Sequence, residues 1–238
     1  MVPRRIALHA SGKATIVGAD DYSFRPGMAI RLNGDGTADT SLASAGKYVA
    51  TGFPRAELED LLVQADGSLI VVGGPFVTRL TPSGQPDSAF GDAGSVILLE
   101  LGDARGVTRQ PDGKLLVSGS SGAVARLMPT GELDQTFGIG GFAGSLLSEA
   151  NAAAVDGEGR VVVTGGVWRA TGNSNQPGEE DFALTRLIAT DEAAPLGTLV
   201  EAVEVLPAAV RALFRHGRSR GNLCARFGQV SRLGADRG

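Results

Sequence analysis

The chain has 238 residues, 42% hydrophobic and 20% charged, with a formal net charge of -4, a balance that excludes disorder throughout and suffices to bury one sizeable core. One cysteine, Cys224, and two histidines, His9 and His216, exclude a disulfide framework and a Cys/His zinc site, and no apolar run approaches the roughly 18 residues of a membrane helix. The 35 glycines are about twice the usual share of roughly 7%, which implies many tight turns.

The start, Met1 to His9, carries two arginines but no apolar stretch long enough for the h-region of a secretory signal. From there a turn followed by an apolar run recurs four times. Ser11-Gly12-Lys13 leads into Ala14 to Gly18, Asp66-Gly67-Ser68 into Leu69 to Gly73, Asp112-Gly113-Lys114 into Leu115 to Gly119, and Glu158-Gly159-Arg160 into Val161 to Gly165. The turn glycines are 55, 46 and 46 residues apart. A second marker, Arg followed by Leu, falls at Arg31, Arg79, Arg126 and Arg186. Eight residues after the first three of these come Asp39, Asp87 and Asp134; eleven after come Leu42, Phe90 and Phe137; fifteen after come Gly46, Gly94 and Gly141. A period near 47 is therefore set, and internal repetition at that spacing signals stacked supersecondary units.

Each unit divides into four short segments. In the third they are Ser95 to Leu101, Ala104 to Gln110, Lys114 to Gly119 and Ala123 to Met128, separated by Gly, Pro or Asp-Gly turns. Segments of this length, rich in Val, Leu and Ile and without 3.6-residue periodicity, read as strands. The Asp66-Gly67 and Asp112-Gly113 pairs signal hairpins of type I′, in which Gly takes up the positive φ. The predicted fold is all-β: a β-propeller-like array of about four four-stranded blades, since so small a sheet must stack on neighbours to cover both faces. The units run roughly 1–45, 46–93, 94–140 and 141–206. The first lacks its opening strand, while residues 198–205 read as an opening strand without successors; pairing these two would close the array by its N- and C-terminal strands and remove exposed edges.

The strings Pro86-Asp87 to Phe90-Gly91 and Leu133-Asp134 to Phe137-Gly138, with Gln110-Pro111-Asp112-Gly113-Lys114 and Arg126-Leu127, resemble the delta-60 repeat family. The resemblance covers roughly residues 5–200. It implies a propeller-like array of bacterial cell-surface or secreted proteins with no assigned activity. The first unit departs from the pattern with Leu42 in place of Phe, and the fourth with Ala194 in place of Asp.

Two loops are enlarged, because the turn glycine precedes the Arg marker by 19 residues in the first unit and 27 in the fourth, against 12 and 13 in the middle pair. They span Asp20 to Arg25 and Val167 to Glu180. Their candidate ligand-binding residues are Asp20, Asp21, Tyr22 and Phe24 in one, and Trp168, Arg169, Asn173 and Asn175 in the other. Aromatic area beside amides and carboxylates suits a protein or carbohydrate partner. Asn33, Asp35 and Asp39 surround a Gly with spacing reminiscent of a calcium loop, but three side chains fall short of the six or more oxygens that calcium takes. The repeated Arg and the Asp eight residues on are expected to pair across a turn and fix the link between blades.

No Walker loop or dinucleotide fingerprint is present, so no cofactor is expected. The two histidines lie near opposite ends, which leaves no nucleophile with a base close by in sequence. The expected role is a non-catalytic binding or scaffold module. The alternatives are a carbohydrate-acting enzyme with its site in the enlarged loops, or a fragment of a larger repeat protein. Residues 207–238 change character, with seven arginines against the single acid Asp236. They form a basic tail, the one segment suited to nucleic acid or an acidic surface.

Overall fold

The computed structural model describes residues 1–20, 26–50, 57–169, 179–187 and 200–205. The basic tail, with Cys224, lies outside them. These residues form four antiparallel sheets of four strands, each ordered as in the chain. Sheet I holds β1 (Val2–Leu8), β2 (Ala14–Ala19), β3 (Gly27–Leu32) and β4 (Lys47–Val49). Sheet II holds β5 (Asp60–Val63), β6 (Leu69–Gly73), β7 (Phe76–Leu80) and β8 (Ser95–Ile97). Sheet III holds β9 (Ala104–Arg109), β10 (Leu115–Gly119), β11 (Ala123–Leu127) and β12 (Phe142–Gly144). Sheet IV holds β13 (Glu149–Val155), β14 (Val161–Arg169), β15 (Glu179–Leu187) and β16 (Val200–Val205). A single 3-10 turn, Leu99–Leu101, is the only helical element among the described residues.

Each hairpin between the first two strands is built alike. In the first, the Gly12 N–H donates to the His9 carbonyl at 3.0 Å and the His9 N–H donates to the Lys13 carbonyl at 2.8 Å. Gly67 and Gly113 have φ of 84° and 90°, while Asp66 and Asp112 are not among the residues with positive φ. This is a type I turn closed by a left-handed glycine bulge, not the type I′ turn expected from the Asp-Gly pairs. Only one residue with positive φ is needed, and the Asp side chain settles the other: Asp66 Oδ1 accepts the Ser68 N–H at 2.9 Å and Asp112 Oδ1 the Lys114 N–H at 3.0 Å.

The sheets begin one strand later than the units drawn on the sequence. Ser95 to Ile97 closes sheet II by pairing with Phe76 to Thr78, and does not open sheet III. The same shift of phase makes sheet I complete in itself and leaves β16 as the fourth strand of sheet IV, paired with β15. Residues 200–205 therefore do not pair with the N-terminal strand, and the closure expected from that pairing is corrected. The turn-to-run period is blind to phase, since any of four strands can be taken as the first of a repeat.

The sheets stack in sequence. One apolar cluster lies between I and II (Val17, Ala29, Leu61, Val71, Phe76). A second lies between II and III (Ile70, Val72, Val107, Val117), and a third between III and IV (Leu116, Val124, Ala153, Val163). Alternation along each strand sends odd positions to one neighbour and even positions to the other. First strands contact first strands from sheet to sheet, which places β1, β5, β9 and β13 along the axis of the array.

At the end of the array where β3 joins β4, the Arg–Asp pairs form as expected. Arg31 Nε lies 2.6 Å from Asp39 Oδ2, and Arg79 and Arg126 lie 2.8 Å from Asp87 and Asp134. They also reach forward: Arg31 Nη1 donates to the Pro82 carbonyl at 2.7 Å and Arg79 Nη1 to the Pro129 carbonyl at 3.0 Å, each in the following sheet. The Arg79 and Arg126 guanidinium groups stack 5.0 and 4.7 Å over Phe90 and Phe137, a geometry worth roughly 0.5 to 2 kcal/mol.

Candidate functional site at the axial end

The opposite end of the array collects what repetition does not explain. Each second strand carries a glycine at the matched position: Gly18, Gly73, Gly119 and Gly165. A Cβ on any of these would run into the backbone carbonyl of Val2, Glu57, Leu101 or Glu149 respectively. Without it, the chain entering the axial strand packs flush against its neighbour. The registers of β1, β9 and β13 shift there, between Pro3 and Arg5, between Ala104 and Gly106, and between Ala150 and Ala152. The bulged residues are Arg4, Arg105 and Asn151, turned out of the ladder at the rim of the axis.

These residues form a chain of charge that passes from sheet to sheet. Arg4 pairs with Glu57, its Nε 3.1 Å from Oε2, and lies 3.8 Å from Glu59 Oε2. Arg105 Nη1 lies 2.8 Å from Glu149 Oε2 and donates to Asn151 Oδ1 at 2.9 Å. Asn151 Nδ2 donates in turn to Glu149 Oε1 at 3.2 Å. Glu59 stands between the two arginines; burial pushes its carboxyl above the ordinary value, and Arg4 and Arg105 act against that rise. Below the rim, Asp60 is buried. Its Oδ1 lies 3.0 Å from Arg5 Nε and accepts the Leu61 N–H at 2.9 Å, while its Oδ2 accepts the Val107 N–H at 3.1 Å. Burial raises the Asp60 carboxyl, and Arg5 with the two N–H donors opposes the shift.

Both enlarged loops leave from this end, because Ala19 pairs with Val2 and Gly166 with Glu149 at the start of their axial strands. The Asp20 N–H donates to the Pro26 carbonyl at 3.1 Å, closing the base of the first loop; Asp21, Tyr22 and Phe24 lie outside the described residues. In the second, β14 and β15 run on as a ladder to Arg169 and Glu179. Trp168 is 60% exposed on this extension, where its backbone N–H donates to Ser148 Oγ at 2.9 Å. Asn173 and Asn175 lie outside the described residues. The structure thus brings Trp168 and Asp20 to the end that carries the charged rim. The rim residues went unnoticed in the sequence, although the glycine at the matched position of each second strand was the signal for the close approach of the axial strand.

The calcium-like residues are occupied otherwise and lie at the other end. Asn33 Nδ2 donates to Thr37 Oγ1 at 3.0 Å, and Asp35 Oδ1 accepts the Thr37 N–H at 2.9 Å. Asp39 Oδ2 faces Lys13 Nζ at 2.8 Å as well as Arg31. Two cations against one carboxylate oppose a divalent ion there.

A stack of four-stranded antiparallel sheets with axial first strands defines a β-propeller-like repeat protein. Residues 64–90 and 110–137 match a family described as "Domain of unknown function (DUF5122) beta-propeller". Among solved structures, the chain is similar to a protein of unknown function from Bacteroides caccae, at 15% identity and a TM-score of 0.53, covering 83% of this chain and 66% of that one. It is also similar to the WD40 β-propeller domain of Doa1, at 12% identity and a TM-score of 0.46, covering 68% of this chain and 46% of that one. A glucose dehydrogenase structure matches at 12% identity and a TM-score of 0.48, covering 86% of this chain and 72% of that one. The chain spans less than two thirds of the length of the first two. No curated protein matches the sequence. These likenesses concern the fold. No helix among the described residues is long and apolar enough to cross a membrane.

Proposed function

We propose that the chain is a non-catalytic binding module built from delta-60-like repeats, and that it takes its ligand at the axial end. The observation that carries this reading is the convergence there of a rim of mixed charge, from Arg4 through Glu57, Glu59 and Arg105 to Glu149, with the exposed Trp168. A rim of both signs beside an aromatic favours an extended polar ligand such as a peptide. Charges of each sign select its register, and the indole supplies apolar area. The opposite end has its Arg and Asp side chains committed to linking sheets, which leaves less for a ligand.

Trp168 is the single tryptophan, so its fluorescence reports on this end alone. Titration with charged peptides and with glycans should give a saturable change for a peptide and no product. Release of product from a glycan would replace this reading with that of a carbohydrate-acting enzyme. Silence towards every peptide and glycan, with the fold intact, would refute binding at this end.

A further inference from the structure

Three apolar side chains stand in the open along the axial end. Leu99 is 72% exposed, Leu146 70% and Trp168 60%. The two leucines occupy matched positions, 47 residues apart, in the connections from sheet II to III and from III to IV, where the flanking Leu98, Leu101 and Leu147 are buried. A run of hydrogen bonds sets the three in a row across sheets III and IV. Beside Leu99, the Glu100 carbonyl accepts the Ser121 hydroxyl at 2.8 Å. One residue on, the Gly122 carbonyl accepts the Ser145 N–H at 3.0 Å, next to Leu146. Two residues beyond Leu146, Ser148 Oγ accepts the Trp168 N–H. Leu146 itself has a φ of 59°, a left-handed conformation that leucine rarely takes. An apolar row of this kind, rimmed by polar groups, marks an interaction site.

Acid borders this row. Glu57, Asp103 and Glu149 each stand ten residues before the turn glycine of their sheet, so a carboxylate precedes the axial strand in three successive sheets. Glu57 and Glu149 are taken up by Arg4 and Arg105. Asp103 and Glu100 are exposed, and no ion pair among the described residues involves either. Glu59, pushed up by burial and by the Glu57 and Asp103 charges, lies 3.8 Å from Arg4. Once each arginine has taken one carboxylate, Glu59, Asp103 and Glu100 are left over. We infer that the occupant of the axial end is a cationic peptide, an extended segment that carries both apolar side chains and Lys or Arg. Its apolar side chains seat on Leu99, Leu146 and Trp168, and its cations meet Glu59, Asp103 and Glu100. This rests on the axial-end reading above and gives the ligand a sign. Lys and Arg suit such a surface because their stems lie along apolar area while their heads reach a carboxylate. An acidic segment would be repelled by the surplus carboxylates, and a purely polar one would leave the leucines in water.

Titration of the whole chain with three short peptides, followed through the fluorescence of its single tryptophan, Trp168, tests this directly. The peptides are of equal length and carry Leu with Lys, Leu with Glu, or Ser with Lys. The Leu/Lys peptide should bind saturably and about tenfold more tightly than either of the others. Its affinity should fall as salt is raised, since exposed charges are screened beyond about 10 Å at 0.1 M. Asp103→Asn should weaken it several-fold, and Leu99→Ser with Leu146→Gly about tenfold. These changes touch exposed side chains, and glycine suits the left-handed position. Equal or tighter binding of the Leu/Glu peptide overturns the inference but keeps the axial end as a binding site. Silence towards all three also overturns it, and silence towards glycans as well takes the axial-end reading with it. Binding that ignores the Asp103 and leucine changes overturns it, as does a signal that shifts with protein concentration alone, the mark of a second copy docking there. Should a variant fail to fold, the wild-type ranking of the three peptides and its salt dependence decide.

Discussion

The Asp60 carboxylate leaves its own sheet to accept the backbone N–H of Val107 at 3.1 Å. Its other oxygen lies 3.0 Å from Arg5 Nε, so one side chain ties three successive sheets at the axis. The N–H it captures belongs to β9, a sheet-edge strand whose outward backbone groups find no strand neighbour. Replacing Asp60 by Ala would leave both the Arg5 charge and the Val107 N–H without this acceptor in a buried setting, and should cost about 3 to 5 kcal/mol. Asp60→Asn keeps an acceptor and should cost less. Urea denaturation of the two variants measures the difference; equal losses would mean that packing, not the acceptor, matters at this position.

The Arg126–Asp134 pair is nearly solvent-free, with side chains 3% and 5% exposed. Lys114 Nζ adds a second cation at 2.9 Å and Thr136 donates to Oδ1 through both N–H and hydroxyl. Asp134→Ala should therefore destabilise by about 3 to 5 kcal/mol, several-fold more than Asp112→Ala, whose carboxylate is half exposed and 3.7 Å from the same lysine. A loss below about 0.5 kcal/mol for Asp134→Ala would place the pair with ordinary surface bridges.

Acid should unfold the protein through these same groups. Hydrogen bonds from Lys13 and Ser41, with Arg31, hold Asp39 well below the usual carboxylate range. Burial alone would raise Asp134, but Thr136, Lys114 and Arg126 more than reverse it. A carboxyl lowered on folding lends stability that is complete above its ordinary value of 3.8 and lost as pH falls towards its folded value. His9, lowered by burial and by Arg31 and Lys13, adds a shallower loss as pH drops below 6.5. Asp60 and Glu59, raised by burial, act in the opposite sense and soften the upper part of the acid limb. Midpoints of urea unfolding between pH 7 and 3 should be nearly level at first and then fall steeply below about pH 4. A steep fall centred above pH 5 would contradict the assignment to Asp39 and Asp134.

Three non-glycine residues in the turns that precede β4 and β8 are left-handed: Ala43, Ala45 and Ala93, at φ of 42°, 51° and 48°. The matching positions in other units carry Gly91, Gly138 and Gly140, all at positive φ. Ala93→Gly should then stabilise the protein by about 0.5 to 1 kcal/mol, the cost of a Cβ in this region less the flexibility that glycine brings to the unfolded chain. A change in the other direction at the next left-handed position of the turn, Gly141→Ala, should destabilise it, since a Cβ there would also meet the Leu133 side chain at 2.8 Å. Thermal melts of the two variants should move in opposite directions.

The repeat was legible because its markers are local. Gly67 and Gly113 close hairpins, Arg79 and Asp87 lie eight residues apart across one turn, and each can be counted along the chain. Phase was not legible, since pairing of Ser95 to Ile97 with the strand before it rather than the strand after it depends on hydrogen bonds that span the connection. The rim was missed for a related reason: Arg4 meets Glu57 across 53 residues and Arg105 meets Asn151 across 46, and their residue types differ from unit to unit. The enlarged loops could be found because an insertion interrupts a count. Their end of the stack follows from strand direction once Ala19 is seen to pair with Val2.

The stacking order also sets how the molecule comes apart. Among the described residues, apolar clusters clasp sheets II and III on both sides and sheets I and IV on one, and sheet I replaces the Phe90 and Phe137 plugs with the smaller Leu42. In a linear array with only nearest-neighbour couplings, loosening starts at the least supported terminus and travels inward. Amide protons of β6 and β10 should thus outlast those of β2 and β14 in heavy water, giving a protection profile that peaks mid-array.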